Sequence, residues 1–299
     1  MDQEGGFAMN VPSRKNLLAV AGGFIAALLF LIFAAAPLQV RFGMSGLALT
    51  ELGLLALALL GAALFHAPLR QVFSLHRPTL RGVFGSLLLW LGAYILVLLS
   101  AIAVMLVMPQ RMADVSTAIT GLFVQVPFAV RFFIVAAMPA VCEEMLFRGF
   151  LLFHMQPMPA WARVAVCGVL FGAFHLDPVR FLPTAILGVV ITWAAVHSGN
   201  LLYAMLIHLF NNSLSALSTL AADAVSTETA VAASTQLITP AVLGVYFFLA
   251  VVSPWLLWAG SSLLRPKDRP APDRARTALV CLVCSAACIV IGGVLIHLG

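Results

Sequence analysis

Apolar residues run through this chain in long, nearly unbroken stretches, and polar residues fall mostly in the gaps between them. Nine such stretches stand out, at about 16–36, 46–65, 82–108, 127–154, 161–176, 179–197, 200–221, 239–264 and 276–298. Several reach the ~20 residues that a membrane-crossing helix needs. The pattern predicts an all-α, polytopic membrane helical bundle of about eight or nine transmembrane helices, forming one integral membrane domain over 1–299. The stretches at 161–176 and 179–197 are short enough for either to be re-entrant. The first stretch contains Ala34-Ala35-Ala36, which resembles a signal-cleavage site, but Pro37 would directly follow the cut. It is read as a retained helix.

The gaps carry the topology. With the N-terminus inside and the helices alternating, the inner side receives Arg14, Lys15, Arg70, Arg77, Arg81, Arg163, Arg265, Lys267, Arg269, Arg274 and Arg276. The outer side receives only Arg41, Arg111 and Arg180. This positive-inside bias predicts a cytoplasmic N-terminus.

Composition agrees with the pattern. The 299 residues are 63% hydrophobic and 9% charged, far below the ~25% charged residues of a soluble domain. The lipid bilayer is therefore the expected solvent, and the net charge of +5 reports topology rather than nucleic-acid binding. Arginine far outnumbers lysine, and alanine and leucine are abundant, which points to a GC-rich bacterial genome and a plasma-membrane location. Cys281, Cys284 and Cys288 share one helix face, but no histidine or further cysteine completes a ligand set, so they read as packing residues. No cofactor is expected. No repeat indicates a transporter built of two halves.

The polar residues inside the stretches carry the chemistry. VCEEMLFRGF, at 141–150, puts Glu143, Glu144 and Arg148 deep in an apolar helix. An ionisable residue there costs at least ~2.5–3.5 kcal/mol and is a functional hypothesis by default. Glu144 and Arg148 are four apart and share a face, so they can pair. Glu143 points ~100° away without a local partner, as suits a general base. Phe171 and His175 repeat the four-residue spacing, and so do His208 and Asn212. If the three faces converge, Glu143 and His175 can activate water while His208 and Asn212 donate to an oxyanion. Other readings fit the same residues: a structural charge network in a non-enzymatic scaffold, a proton-coupled transporter, or a zinc site of Glu143, His175 and His208. The zinc pattern lacks an HExxH motif.

The order EExxxR, FxxxH, HxxxN resembles the CAAX protease and bacteriocin-processing (CPBP, Abi) family. Here the motifs read Glu143-Glu144 to Arg148, Phe171 to His175, and His208 through Asn211 to Asn212. The resemblance covers about a quarter of the chain, within an expected catalytic core at about 127–221. It implies an intramembrane endopeptidase of the glutamic type with a polar catalytic cavity inside the bilayer. By carry-over, Glu143 and His175 activate water, His208 and Asn212 form the oxyanion site, and Glu144, Arg148 and Phe171 are structural at the site. It implies no metal, and a membrane-anchored protein or CaaX-like peptide tail as substrate. In a bacterial chain, relatives are linked to bacteriocin maturation or self-immunity.

Overall fold

The computed structural model describes residues 13–121, 126–222, 239–266 and 273–299, and these are helical and joined by short turns. Ten helices are named here: α1 (Arg14–Phe42), α2 (Met44–Leu64), α3 (Leu80–Val107), α4 (Pro109–Gly121), α5 (128–154), α6 (Ala160–Phe174), α7 (Pro178–Ser198), α8 (Leu201–Ala222), α9 (Pro240–Leu264) and α10 (Arg274–Leu298). Nine coincide with the nine apolar stretches. Seven of them, namely α1, α2, α3, α7, α8 (over Leu201–Ser218), α9 and α10, are long and apolar enough to cross a membrane. The chain is an integral membrane protein and a helical bundle, as expected. Leucine, isoleucine, valine and phenylalanine side chains stand exposed on every long outer helix, among them Phe33, Leu60, Phe84, Val245 and Val290. They form the surface that faces lipid. The Ala34–Ala36 stretch lies inside the continuous helix α1.

α4 is an addition to the expected elements, and it occupies a gap assigned to the outer side. Its sequence mixes polar and apolar residues, so no long apolar run betrays it.

Contacts between gaps follow the alternation. The inner-side gap before α3 is clamped to the α7–α8 turn. Leu201 N donates to Ser74 O at 2.8 Å, and Asn200 both accepts from His76 N and donates to His76 O at 3.1 Å. Arg81 donates to Ser262 O at the end of α9. On the opposite side, Arg111 of α4 lies 4.0 Å from Asp177 in the α6–α7 turn. Gaps assigned to one side thus meet one another at one end of the bundle.

α5 is the central helix and is not a regular one. π-helical turns at Phe133–Ala137 and Met145–Leu151 bracket the segment Met138–Glu144. Pro139 explains the first. It has no N–H, and its ring clashes with the carbonyl four residues back, so the ladder must widen there. α1 repeats the device, with a π-turn at Leu31–Ala35 ahead of Pro37.

Candidate active site

The site is assembled where α5, α6, α7 and α8 meet. The Glu144–Arg148 pair expected from the spacing forms on α5, with Arg148 Nη1 donating to Glu144 Oε1 at 2.8 Å and both side chains fully buried. Arg148 is held on two other sides by α7: Nε donates to Thr192 Oγ1 at 3.1 Å and Nη2 to Gly188 O at 2.9 Å. The guanidinium also lies 4.4 Å from the centre of the Phe171 ring.

Glu144 does more than the spacing indicated. The same Oε1 that takes Arg148 also accepts from His208 Nδ1 at 2.7 Å. Glu144 therefore links α5 to α8 as well as neutralising Arg148. Its Oε2 is buried without a hydrogen-bond partner. With Nδ1–H committed to Glu144, His208 has Nε2 left for other work.

Phe171 is the hub of the arrangement. His175 stands edge-on to its ring with centroids 5.2 Å apart, and His208 does the same at 5.7 Å. His175 Nδ1 lies 2.9 Å from Phe171 O. A carbonyl only accepts, so Nδ1 carries the hydrogen and Nε2 of the neutral ring keeps its lone pair. His175 ends α6, and Leu176 after it has φ +53°. A left-handed leucine is strained backbone, and it turns the chain so sharply that Asp177 can cap α7 by accepting from Val179 N at 2.9 Å.

Asn212 is placed by Pro139. Residue 139 lacks the N–H that would bond Val135 O in a regular helix, and Asn212 Nδ2 donates to that carbonyl at 3.2 Å. Asn211 donates to Asn212 Oδ1 at 3.2 Å. One amide hydrogen of Asn212 is thus fixed by α5, and the other remains.

Glu143 differs from its neighbour in every respect. The residue is 9% exposed, and among the described residues its carboxyl has no hydrogen bond. Arg180, in the first turn of α7, is close enough to act on it electrostatically, as are His208, Glu144 and Arg148. No hydrogen bond joins Glu143 directly to His175 among the described residues. Nor do any three His, Cys, Asp or Glu side chains gather there into a metal-holding group.

Two groups near Glu143 escaped the sequence reading. Arg180 was counted only as an outer-side charge. Glu51, near the start of the apolar stretch at about 46–65, is 3% exposed and has an Oε2 with no partner. α2 begins at Met44, so Glu51 lies about two turns inside it. His154, at the end of α5, is buried against Phe65, Phe150 and Phe153, with Nδ1 2.9 Å from Phe150 O. A polar cavity of about 140 Å³, bordered by Gln71, Ser74, Gln156, Arg163 and Arg148, lies at the end of the bundle where the gaps assigned to the inner side meet. Of the motif residues only Arg148 borders it.

Comparison with known proteins bears on this same region. Residues 122–214 match the family model described as Rce1-like, type II CAAX prenyl endopeptidase Rce1-like. No curated protein and no solved structure matches the chain.

Proposed function

We propose, from the match of residues 122–214 to the Rce1-like type II CAAX prenyl endopeptidase model, that the chain is an intramembrane endopeptidase of the glutamic type. It hydrolyses a peptide bond near the end of a membrane-anchored, CaaX-like protein or peptide tail. The observation that carries this reading is the contrast within one glutamate pair. Glu144 is bound by Arg148 and His208 through a single oxygen, while Glu143 beside it, also buried, makes no hydrogen bond among the described residues.

In the proposed reaction a water lies between Glu143 and Nε2 of His175. Glu143 takes a proton from that water. The resulting hydroxide attacks the scissile carbonyl carbon, and the carbonyl oxygen becomes an oxyanion. The second amide hydrogen of Asn212 and the imidazole of His208 donate to it, each donor contributing about 3 kcal/mol. Glu144 holds the His208 ring in place through its bond to Nδ1. Collapse of the intermediate breaks the C–N bond, and Glu143 returns its proton to the leaving amine. The protein is proposed to sit in a bacterial plasma membrane with its N-terminus cytoplasmic, in line with the charge bias of its gaps.

The test is cleavage of a fluorescent library of membrane-anchored tails by the purified protein in detergent. Glu143→Gln should lower kcat by on the order of 10²–10⁴-fold with the thermal midpoint unchanged. A chelator should leave the wild-type rate unaltered. Cleavage that survives Glu143→Gln refutes the mechanism, and loss with chelator reversed by zinc replaces it with the metal reading.

A further inference from the structure

Proline inside a helix forfeits one backbone hydrogen bond, and the bilayer core holds no water to replace it. Two prolines here follow π-turns, Pro37 in α1 and Pro139 in α5. Their freed carbonyls end differently. Pro37 frees that of Phe33, a residue 73% exposed, and no side chain among the described residues donates to it. Pro139 is buried and frees the carbonyl of Val135, to which Asn212 of α8 donates at 3.2 Å.

That bond does more than fill a gap. A carbonyl only accepts, so the atom facing Val135 O is the Asn212 nitrogen. The Asn212 oxygen is held in turn by Asn211, whose Nδ2 donates to it at 3.2 Å. The amide is therefore pinned at both ends, which fixes its plane and prevents it from turning over. One N–H of Nδ2 lies on Val135 O, so the other has a single direction open to it. His208 is four residues earlier on the same face of α8, and its Nδ1 is held by Glu144 at 2.7 Å. The two donors assigned to the oxyanion are thus both anchored to α5, one by a side chain and one by a backbone carbonyl.

We propose that Pro139 and Asn211 are positioning residues for the oxyanion site: the proline exposes Val135 O so that Asn212 is aimed before substrate arrives, and Asn211 keeps the amide from turning over. This rests on the peptidase reading above. Neither residue touches substrate. A donor that is already oriented need not reorganise when the oxyanion forms, and that is what makes such donors effective. Any residue with an N–H at position 139 would let Val135 O close the ordinary helical bond, and Asn212 would lose its anchor. The defect in α5 thus serves an amide on another helix.

Two measurements on the full chain test this, and the first needs no activity. In wild type, Asn212→Leu leaves Val135 O without its donor. In Pro139→Ala the restored N–H serves that carbonyl, so there Asn212→Leu should lower the thermal midpoint by roughly 2–8 °C less than in wild type. The donor lost to Asn211 is common to both backgrounds and cancels. The second measurement is kinetic. Asn212→Ala should lower kcat by about 10²–10³-fold. Pro139→Ala should lower kcat by at least about tenfold with KM unchanged, and should add nothing in the Asn212→Ala background. Asn211→Ala should follow the same pattern with a smaller loss. Pro139→Val, closer in volume, takes the place of Pro139→Ala if alanine leaves a void. Pro37→Ala should keep the wild-type kcat. Equal effects of Asn212→Leu in both backgrounds, a wild-type kcat in Pro139→Ala, or an equal loss in Pro37→Ala overturns the proposal. A thermal coupling as stated, together with an Asn212→Ala variant that cleaves like wild type, refutes the oxyanion assignment of the peptidase reading and leaves the bond to Val135 O a structural one.

Discussion

Removing Arg148 is the sharpest test of how the site is held. Arg148→Met keeps most of the side-chain volume and deletes three buried hydrogen bonds, to Glu144 at 2.8 Å, Gly188 at 2.9 Å and Thr192 at 3.1 Å. The larger effect is on what remains. Glu144 is left fully buried with only His208 on its Oε1, and its Oε2 is unpartnered already. Breaking a buried pair from one side costs about 3–5 kcal/mol, and the surviving His208 bond places this case near 3 kcal/mol. For a chain of this size that is a fall in Tm of roughly 6–12 °C. The protein carries its own reporter, since Cys142 and Cys167 are buried and react with a fluorogenic maleimide as the fold opens. The double variant Glu144→Leu/Arg148→Met removes both charges and leaves only His208 Nδ1 unpaired, at about 1–2 kcal/mol. It should therefore melt above Arg148→Met. If the double variant melts at or below the single one, the stability does not come from an uncompensated buried charge and the argument is wrong.

Two further variants probe the scaffold. Gly188→Val should lower both stability and cleavage, because a Cβ there stands 3.0 Å from Gly168 O and 3.1 Å from Phe171 Cβ. Overpacking of this kind costs about 1–3 kcal/mol, and it displaces the carbonyl that holds Arg148; an unaltered melt would contradict the close helix approach. Asn200→Ala should cost about 2–3 kcal/mol, because Asn200 bonds His76 N, His76 O and Leu202 N at 3.1 Å each and each bond contributes about 1 kcal/mol. The same thiol-reactivity melt reads it.

Hydropathy made the helices legible because the bilayer demands length and apolarity of each one, and it leaves most basic residues in the gaps. The Glu144–Arg148 pair was legible because four residues make one helical turn, and that spacing survives a π-turn. Other features depend on information that spacing does not contain. The third partner of Glu144, His208, comes from another helix. Glu51 looked terminal because an apolar window locates a helix end only to within a few residues, and α2 starts earlier than its apolar run. Arg180 looked like a loop charge because the turn at Leu176 folds its helix back onto the site. Pro139 offered a usable signal that went unread: a proline inside an apolar helix frees a carbonyl four residues earlier. A buried amide is a natural partner for that carbonyl, and Asn212 takes the role.

The brevity of α6 has a consequence for the other reactant. Its 15 residues rise ~22 Å, against the ~30 Å of hydrocarbon in a bilayer. The turn after it carries His175 and Asp177, with Arg180 in the first turn of α7. Beside so short a helix a bilayer would have to thin or admit water. Peptide hydrolysis consumes one water per bond, and oil holds almost none. On the proposed peptidase reading, a helix that ends early would let the aqueous phase reach down toward Glu143, and delivery of water would be a matter of helix length rather than of a separate channel.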